Sequence, residues 1–76
     1  MFEVGKSYLP YMTEYGAVRV LKRTPKMIMV ENENKVIFRM LIRVDENSKE
    51  FCRDSTVPKR WQDAFTYSEE WEEKAQ

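Results

Sequence analysis

The strongest pattern lies between Lys35 and Val44, where Val36, Phe38, Met40, Ile42 and Val44 are apolar at every second position and Lys35, Arg39 and Arg43 interleave with them. Successive side chains of a strand point to opposite faces, so this alternation predicts a long β-strand with one wholly apolar side. Upstream, Ala17 to Arg23 and Met27 to Glu31 are rich in β-branched residues and flank Thr24-Pro25-Lys26, whose proline favours a turn. They read as a hairpin. Glu31-Asn32-Glu33-Asn34 supplies a second turn into the long strand, since asparagine tolerates the left-handed backbone that tight connections need. Asp45-Glu46-Asn47-Ser48 leads into a short strand over Glu50 to Arg53, and Lys6 to Leu9 forms a first strand before Pro10.

From Pro58 the spacing changes. Trp61, Ala64, Phe65, Ser68, Trp71 and Ala75 recur at three- and four-residue steps, which predicts a helix with these residues on one side. Pro58 suits a first helical turn, with Ser55 or Thr56 as its cap. Thr66-Tyr67-Ser68-Glu69 has the form of a capping box, so the helix divides at that point in an alternative reading, into Pro58 to Phe65 and Ser68 to Ala75. The predicted fold is mostly β with a C-terminal helix. It is a small, strongly bent antiparallel sheet or Src-homology or KOW-like barrel of roughly four or five strands, or else an open curved sheet with the helix across one face. Residues 1–54 would form the sheet and residues 55–76 the helical segment of the same single domain.

Composition narrows the function. A chain of 76 residues buries only about 60% of its unfolded surface, so most large apolar residues are needed for packing. There is no histidine, and Cys52 is the only cysteine, which leaves no zinc site of the usual kinds and no internal disulfide. Asp45, Glu46, Asp54 and Asp63 sit in no motif that would position a water or a substrate. Gly5 and Gly16 are too sparse for a phosphate-cradling loop. A non-enzymatic protein with no cofactor and no small-molecule substrate is expected. No apolar run approaches a membrane span and no signal-peptide layout opens the chain, so a cytoplasmic protein is expected.

The formal charge of zero conceals a division. Residues 1–43 carry +4 and residues 44–76 carry −4. On the second side of the long strand, Lys35, Ile37, Arg39, Leu41 and Arg43 alternate basic and apolar, and Arg19, Leu21 and Arg23 repeat that character on the neighbouring strand. Two arrangements fit. In one, this side binds a partner, with Arg19, Arg23, Lys26, Arg39 and Arg43 contacting acidic groups or phosphates. In the other it is covered by the chain's own C-terminal helix, with Trp61, Phe65 and Trp71 on the apolar positions. Tyr8, Tyr11 and Tyr15 bracket the loop after the first strand, and Tyr11 and Tyr15 are candidate stacking or interface residues.

The opening Phe2-Glu3-Val4-Gly5-Lys6-Ser7-Tyr8, followed by Val18-Arg19-Val20-Leu21-Lys22-Arg23-Thr24-Pro25-Lys26-Met27-Ile28, resembles small phage and prophage proteins that begin Phe-x-Val-Gly-Lys-x-Tyr and continue with a Lys-Arg-Thr-x-Lys hairpin. The resemblance covers roughly residues 2–44 and implies a phage origin and a small β-barrel; the segment from Pro58 departs from it. With the divided charge, it leads to the expectation of a phage-type protein–protein interaction module, an inhibitor of a host enzyme or defence complex acting in the host cytoplasm. The alternative is a small nucleic-acid-binding barrel that uses the basic and aromatic residues, a reading that net neutrality weakens.

Overall fold

Ile42 is the bend on which the architecture turns. The computed structural model describes residues 1–74, and in it the long strand expected over Lys35 to Val44 splits at Ile42 into β4 (Ile37–Leu41) and β5 (Arg43–Val44). The other strands are β1 (Ser7–Pro10), β2 (Val18–Thr24), β3 (Met27–Asn32), β6 (Glu50–Arg53) and β7 (Thr66–Glu72). All pairings are antiparallel, in the order β4-β3-β2-β1-β7-β6-β5. The two outermost strands are halves of one chain segment, so the sheet curls into a nearly closed barrel. Seven strands replace the four or five expected.

The expected C-terminal helix is absent among the described residues. Instead, Pro58 to Thr66 forms a run of i→i−3 hydrogen bonds, including Trp61 N to Pro58 O at 2.8 Å and Phe65 N to Gln62 O at 3.1 Å, with a short 3-10 turn at Lys59–Trp61. Trp61, Ala64 and Phe65 of the apparent helical pattern fall in these tight turns, and Ser68 and Trp71 fall in the strand that follows. The chain then enters β7, which lies between β1 and β6 and pairs with both. Two flanking ladders satisfy its backbone, and Thr66 and Tyr67 are good strand formers, so tertiary pairing overrides the local pattern. Glu69 does not complete a capping box: its carboxylate accepts from the Glu50 N–H at 2.7 Å and from the Met1 ammonium. Ala75, the last position of the expected helix, lies outside the described residues. No helix among the described residues is long and apolar enough to cross a membrane.

The β3–β4 and β5–β6 turns share one construction. In Asn32-Glu33-Asn34-Lys35-Val36 the Asn32 side-chain oxygen accepts from the N–H groups of Asn34 (2.9 Å) and Val36 (3.1 Å), and Lys35 takes a left-handed φ of 64°. In Asp45-Glu46-Asn47-Ser48-Lys49 the Asp45 carboxylate accepts from Asn47 (2.8 Å) and Lys49 (3.0 Å), and Ser48 takes φ 63°. Each loop reverses the chain because an Asx side chain replaces a missing backbone acceptor.

Inside the barrel pack Phe2, Tyr8, Val18, Val20, Ile28, Val30, Met40, Cys52 and Tyr67, with Phe38 and Ile42 partly buried against them. Of the long strand's apolar side only its centre is used: Val36 and Val44 are exposed. The N-terminal residues plug one end. Phe2 is fully buried, its ring edge-on to Tyr8 at 4.8 Å, while its N–H donates to Glu50 Oε1 at 2.8 Å and its carbonyl accepts from Arg23 Nη1 at 2.7 Å. The Tyr8 hydroxyl accepts from the Glu3 N–H at 2.9 Å.

Candidate binding face

Register decides which charges share a face. Across β2–β3–β4, Arg19, Glu31 and Ile37 form one cross-strand row, Lys22, Met29 and Arg39 a second, and Thr24, Met27 and Leu41 a third. All nine point away from the core; Val20, Val30 and Phe38 alternate with them on the inner side. The pairing shifts between Val20 and Lys22, so Leu21 is the extra residue of a bulge. That bulge inverts the parity of the rest of β2. Lys22, not Arg23, joins the outer face, and Arg23 pairs with Ile28 and Met40 on the inner side.

Arg23 is thereby turned from the outer cross-strand rows toward the N-terminal plug, although it still borders a depression that Arg39 lines. Its guanidinium reaches both Glu50 oxygens, at 2.9 and 3.0 Å, as part of the end plug. The Glu50 carboxyl is held below its ordinary range, first by the Arg23 hydrogen bonds, against an opposing effect of burial and with help from the Phe2 N–H. Arg19, Lys26, Arg39 and Arg43 are exposed, Lys26 at the β2–β3 turn. A shallow open depression of about 270 Å³ is lined by Lys22, Arg23, Thr24, Met27, Met29 and Arg39. Arg43 lines a second, of about 170 Å³, with Leu41, Arg53, Ser55 and Gln62.

Among the described residues the C-terminal segment leaves this face uncovered, meeting it only at its rim, where Glu73 lines a shallow depression with Arg19 and Glu31. Trp71 lies against Tyr11, ring centroids 6.0 Å apart, and Phe65 stacks on Tyr15 at 4.6 Å. Trp61 is about half exposed, with the Arg60 guanidinium 6.0 Å from its ring centroid. Tyr11 and Tyr15 therefore form an aromatic patch with the tail, apart from the arginines. Shallow depressions flank Tyr11 and Trp71, one with Leu9, Pro10 and Thr13, the other with Asp63 and Thr66. The outer β2–β4 face presents Arg19, Lys22 and Arg39 around Met27, Met29, Ile37 and Leu41, with the carboxylate residue Glu31 directly opposite Arg19 and with Ile37 54% and Leu41 62% exposed.

Lys22 and Arg53 were not among the residues singled out by sequence. Lys22 is hidden by the bulge, for which an isolated β-branched run carries no signal. Arg53 ends a strand too short to establish a parity of its own. Cys52 is fully buried, and burial pushes its thiol up to about 12. No cluster of metal-ligating side chains occurs among the described residues. No protein-family model, curated protein or solved structure matches this chain.

Proposed function

We propose that this protein is a non-catalytic interaction module whose outer β2–β3–β4 face docks on another protein, and, following the resemblance of residues 2–44 to phage and prophage proteins, that the partner is a host enzyme or defence complex which it inhibits in the host cytoplasm. The barrel is of the Src-homology or KOW-like type in this reading. The observation that carries it is the uncovered face itself: three cationic side chains surround two methionines, Ile37 and Leu41, and among the described residues the chain's own C-terminal segment meets the face only at its rim. Arginine guanidinia with adaptable methionine and aliphatic side chains are the chemistry of protein interfaces.

A nucleic-acid role draws less support. Of the stacking candidates, Tyr15 has one side of its ring engaged by Phe65 and Tyr11 stands beside Trp71 at a tilt, and neither joins the cross-strand cationic rows. The test is affinity capture from host lysate with the wild type and with Lys22→Glu/Arg39→Glu, alongside a gel-shift titration at low and high salt. Capture of a specific protein that the double variant loses is the expected result. A salt-sensitive nucleic-acid shift abolished by the same variant, with no protein captured, would overturn it.

A further inference from the structure

The barrel has one seam that does not close. Ile42 N donates to Lys26 O at 2.8 Å and Asn32 N to Val36 O at 3.0 Å, so the even-numbered residues of this segment turn their backbone groups toward β3. In an antiparallel ladder these groups alternate in direction, and the N–H and C=O groups of Ile37, Arg39 and Leu41 therefore point away from β3. Further along, Arg43 faces the same way and finds β6, pairing with Phe51. But β6 ends at Arg53, and β4 pairs only with β3. Beside the free edge lies the 170 Å³ gap lined by Leu41, Arg43, Arg53, Ser55 and Gln62.

We infer that this seam is a strand-addition site for an extended acidic segment of a partner protein. The inference rests on the protein-docking reading above and adds to it the chemistry of the bound segment. Charge selects the occupant: Arg39 stands at the middle of the edge, with Arg43 and Arg53 at its closed end, and the carboxylate nearest Arg53 is that of Asp63, 4.0 Å away and itself almost fully exposed. A second copy of this chain is a poor occupant. An antiparallel pairing of two β4 edges centred on Arg39 sets Arg39 against Arg39, centring it on Ile37 or Leu41 sets Arg39 against Lys35 or Arg43, and centring it on Phe38 or Met40 sets Arg39 against Ile37 or Leu41 with the second Arg39 diagonal to it. Like charges directly opposed across strands are unfavourable, and cationic edges are a common guard against self-pairing. Acidic side chains opposite the same positions reverse the sign, while the ladder supplies affinity through the main chain.

The probe is a capped synthetic peptide of about eight residues, the length of a typical strand, alternating glutamate and valine. It is added up to millimolar concentration to the full chain while backbone amide exchange is followed by NMR. The amides of Ile37, Arg39 and Leu41 are expected to slow at least about tenfold, with Phe38 and Met40 little changed, because a ladder hydrogen bond forms on alternate residues only. N-methylation of one alternate set of peptide amides should abolish the effect and methylation of the other set should not. Arg39→Glu should weaken binding about tenfold, as loss and inversion of one facing charge pair does.

Absence of binding, equal binding by a lysine–valine peptide, protection by oligothymidine in its place, or dimerisation of the free protein through this edge would each overturn the inference. If lysate capture succeeds through Lys22 and Arg39 while these three amides stay unprotected, strand addition fails and the docking reading stands. If capture fails as well, both fall.

Discussion

Arg23 holds Glu50 through both of its terminal nitrogens, Nη1 to Oε1 at 2.9 Å and Nη2 to Oε2 at 3.0 Å, while Nη1 also donates to the carbonyl of Phe2. Neither side chain is more than a fifth exposed. The pair joins β2, β6 and the N-terminal plug. Arg23→Ala leaves Glu50 charged and the Phe2 carbonyl without its donor, and is expected to cost about 3 kcal/mol, read as a lowered urea midpoint. Arg23→Lys, which cannot make the two-point contact, should recover only part of that. Stability unchanged in Arg23→Ala would show that the plug does not depend on the pair.

Acid should release the same end. Glu50, held by Arg23, and Glu69, held by the Glu50 N–H and the Met1 ammonium, both titrate below the ordinary value of 4.5 in the folded chain. A lowered folded value means the unfolded chain takes up protons first. The stabilisation is therefore complete above about pH 4.5 and is lost as pH falls through the folded values. Urea midpoints measured from pH 7 down to pH 3 should drop in that window, and Glu50→Gln, weaker at pH 7, should show a shallower drop.

Cys52 should be inert while the barrel is closed. With its thiol pushed up to about 12 by burial, the thiolate fraction at pH 8 is roughly a thousandfold below that of a free cysteine. Reaction with an aromatic disulfide reagent should be correspondingly slow in buffer and rapid in denaturant. Fast labelling of the native protein would mean that the β6–β7 region opens readily.

Gly16 separates backbone strain from steric overlap. Its φ is 83° with ψ 158°, and a Cβ built there lies 2.7 Å from the Glu33 carboxyl carbon. Glu33 is an exposed, flexible side chain that can move aside, whereas this backbone region is nearly closed to other residues. Gly16→Ala should cost about 2 kcal/mol, and adding Glu33→Ala should restore almost none of it. Substantial rescue would assign the cost to the contact.

The β5–β6 Asx turn gives a paired test. Asp45→Ala leaves the Asn47 and Lys49 N–H groups without their acceptor and should cost about 1 kcal/mol, while Ser48→Gly relieves a left-handed residue and should gain about 0.5 kcal/mol. A loss in the second variant would place the αL cost at Ser48 below the entropy that glycine brings.

How far the sequence was legible depends on how locally each feature is determined. The alternation of Phe38 and Met40, and the turns at Asn32 and Asp45, are properties of a few adjacent residues, and each stands where its pattern put it. Three features are not local. The bulge at Leu21 is set by what β2 must match in β3, and it exchanges Lys22 for Arg23 on the outer face. The bend at Ile42 exists because one strand serves two neighbours. The third is β7, where Trp61, Phe65 and Trp71 mimic helical spacing, but two waiting strand edges give the backbone a better set of partners. The exposed cationic positions Arg19, Arg39 and Arg43 were readable from parity; the membership of Lys22 and Arg53 was not.

The place of β7 also fixes when the protein can come into being. Strands β1 and β6 meet only through it, so a chain still emerging from the ribosome can form its β2–β3–β4 meander but has nothing to join its first strand to its sixth. Until Thr66 to Glu72 is released, Tyr8, Val18 and Cys52 lack one wall of their enclosure. Maturation is then a single late insertion that depends on contacts between distant parts of the chain, the slow kind of step in β-proteins. A nascent chain stalled before Thr66 would be a substrate for chaperones and proteases.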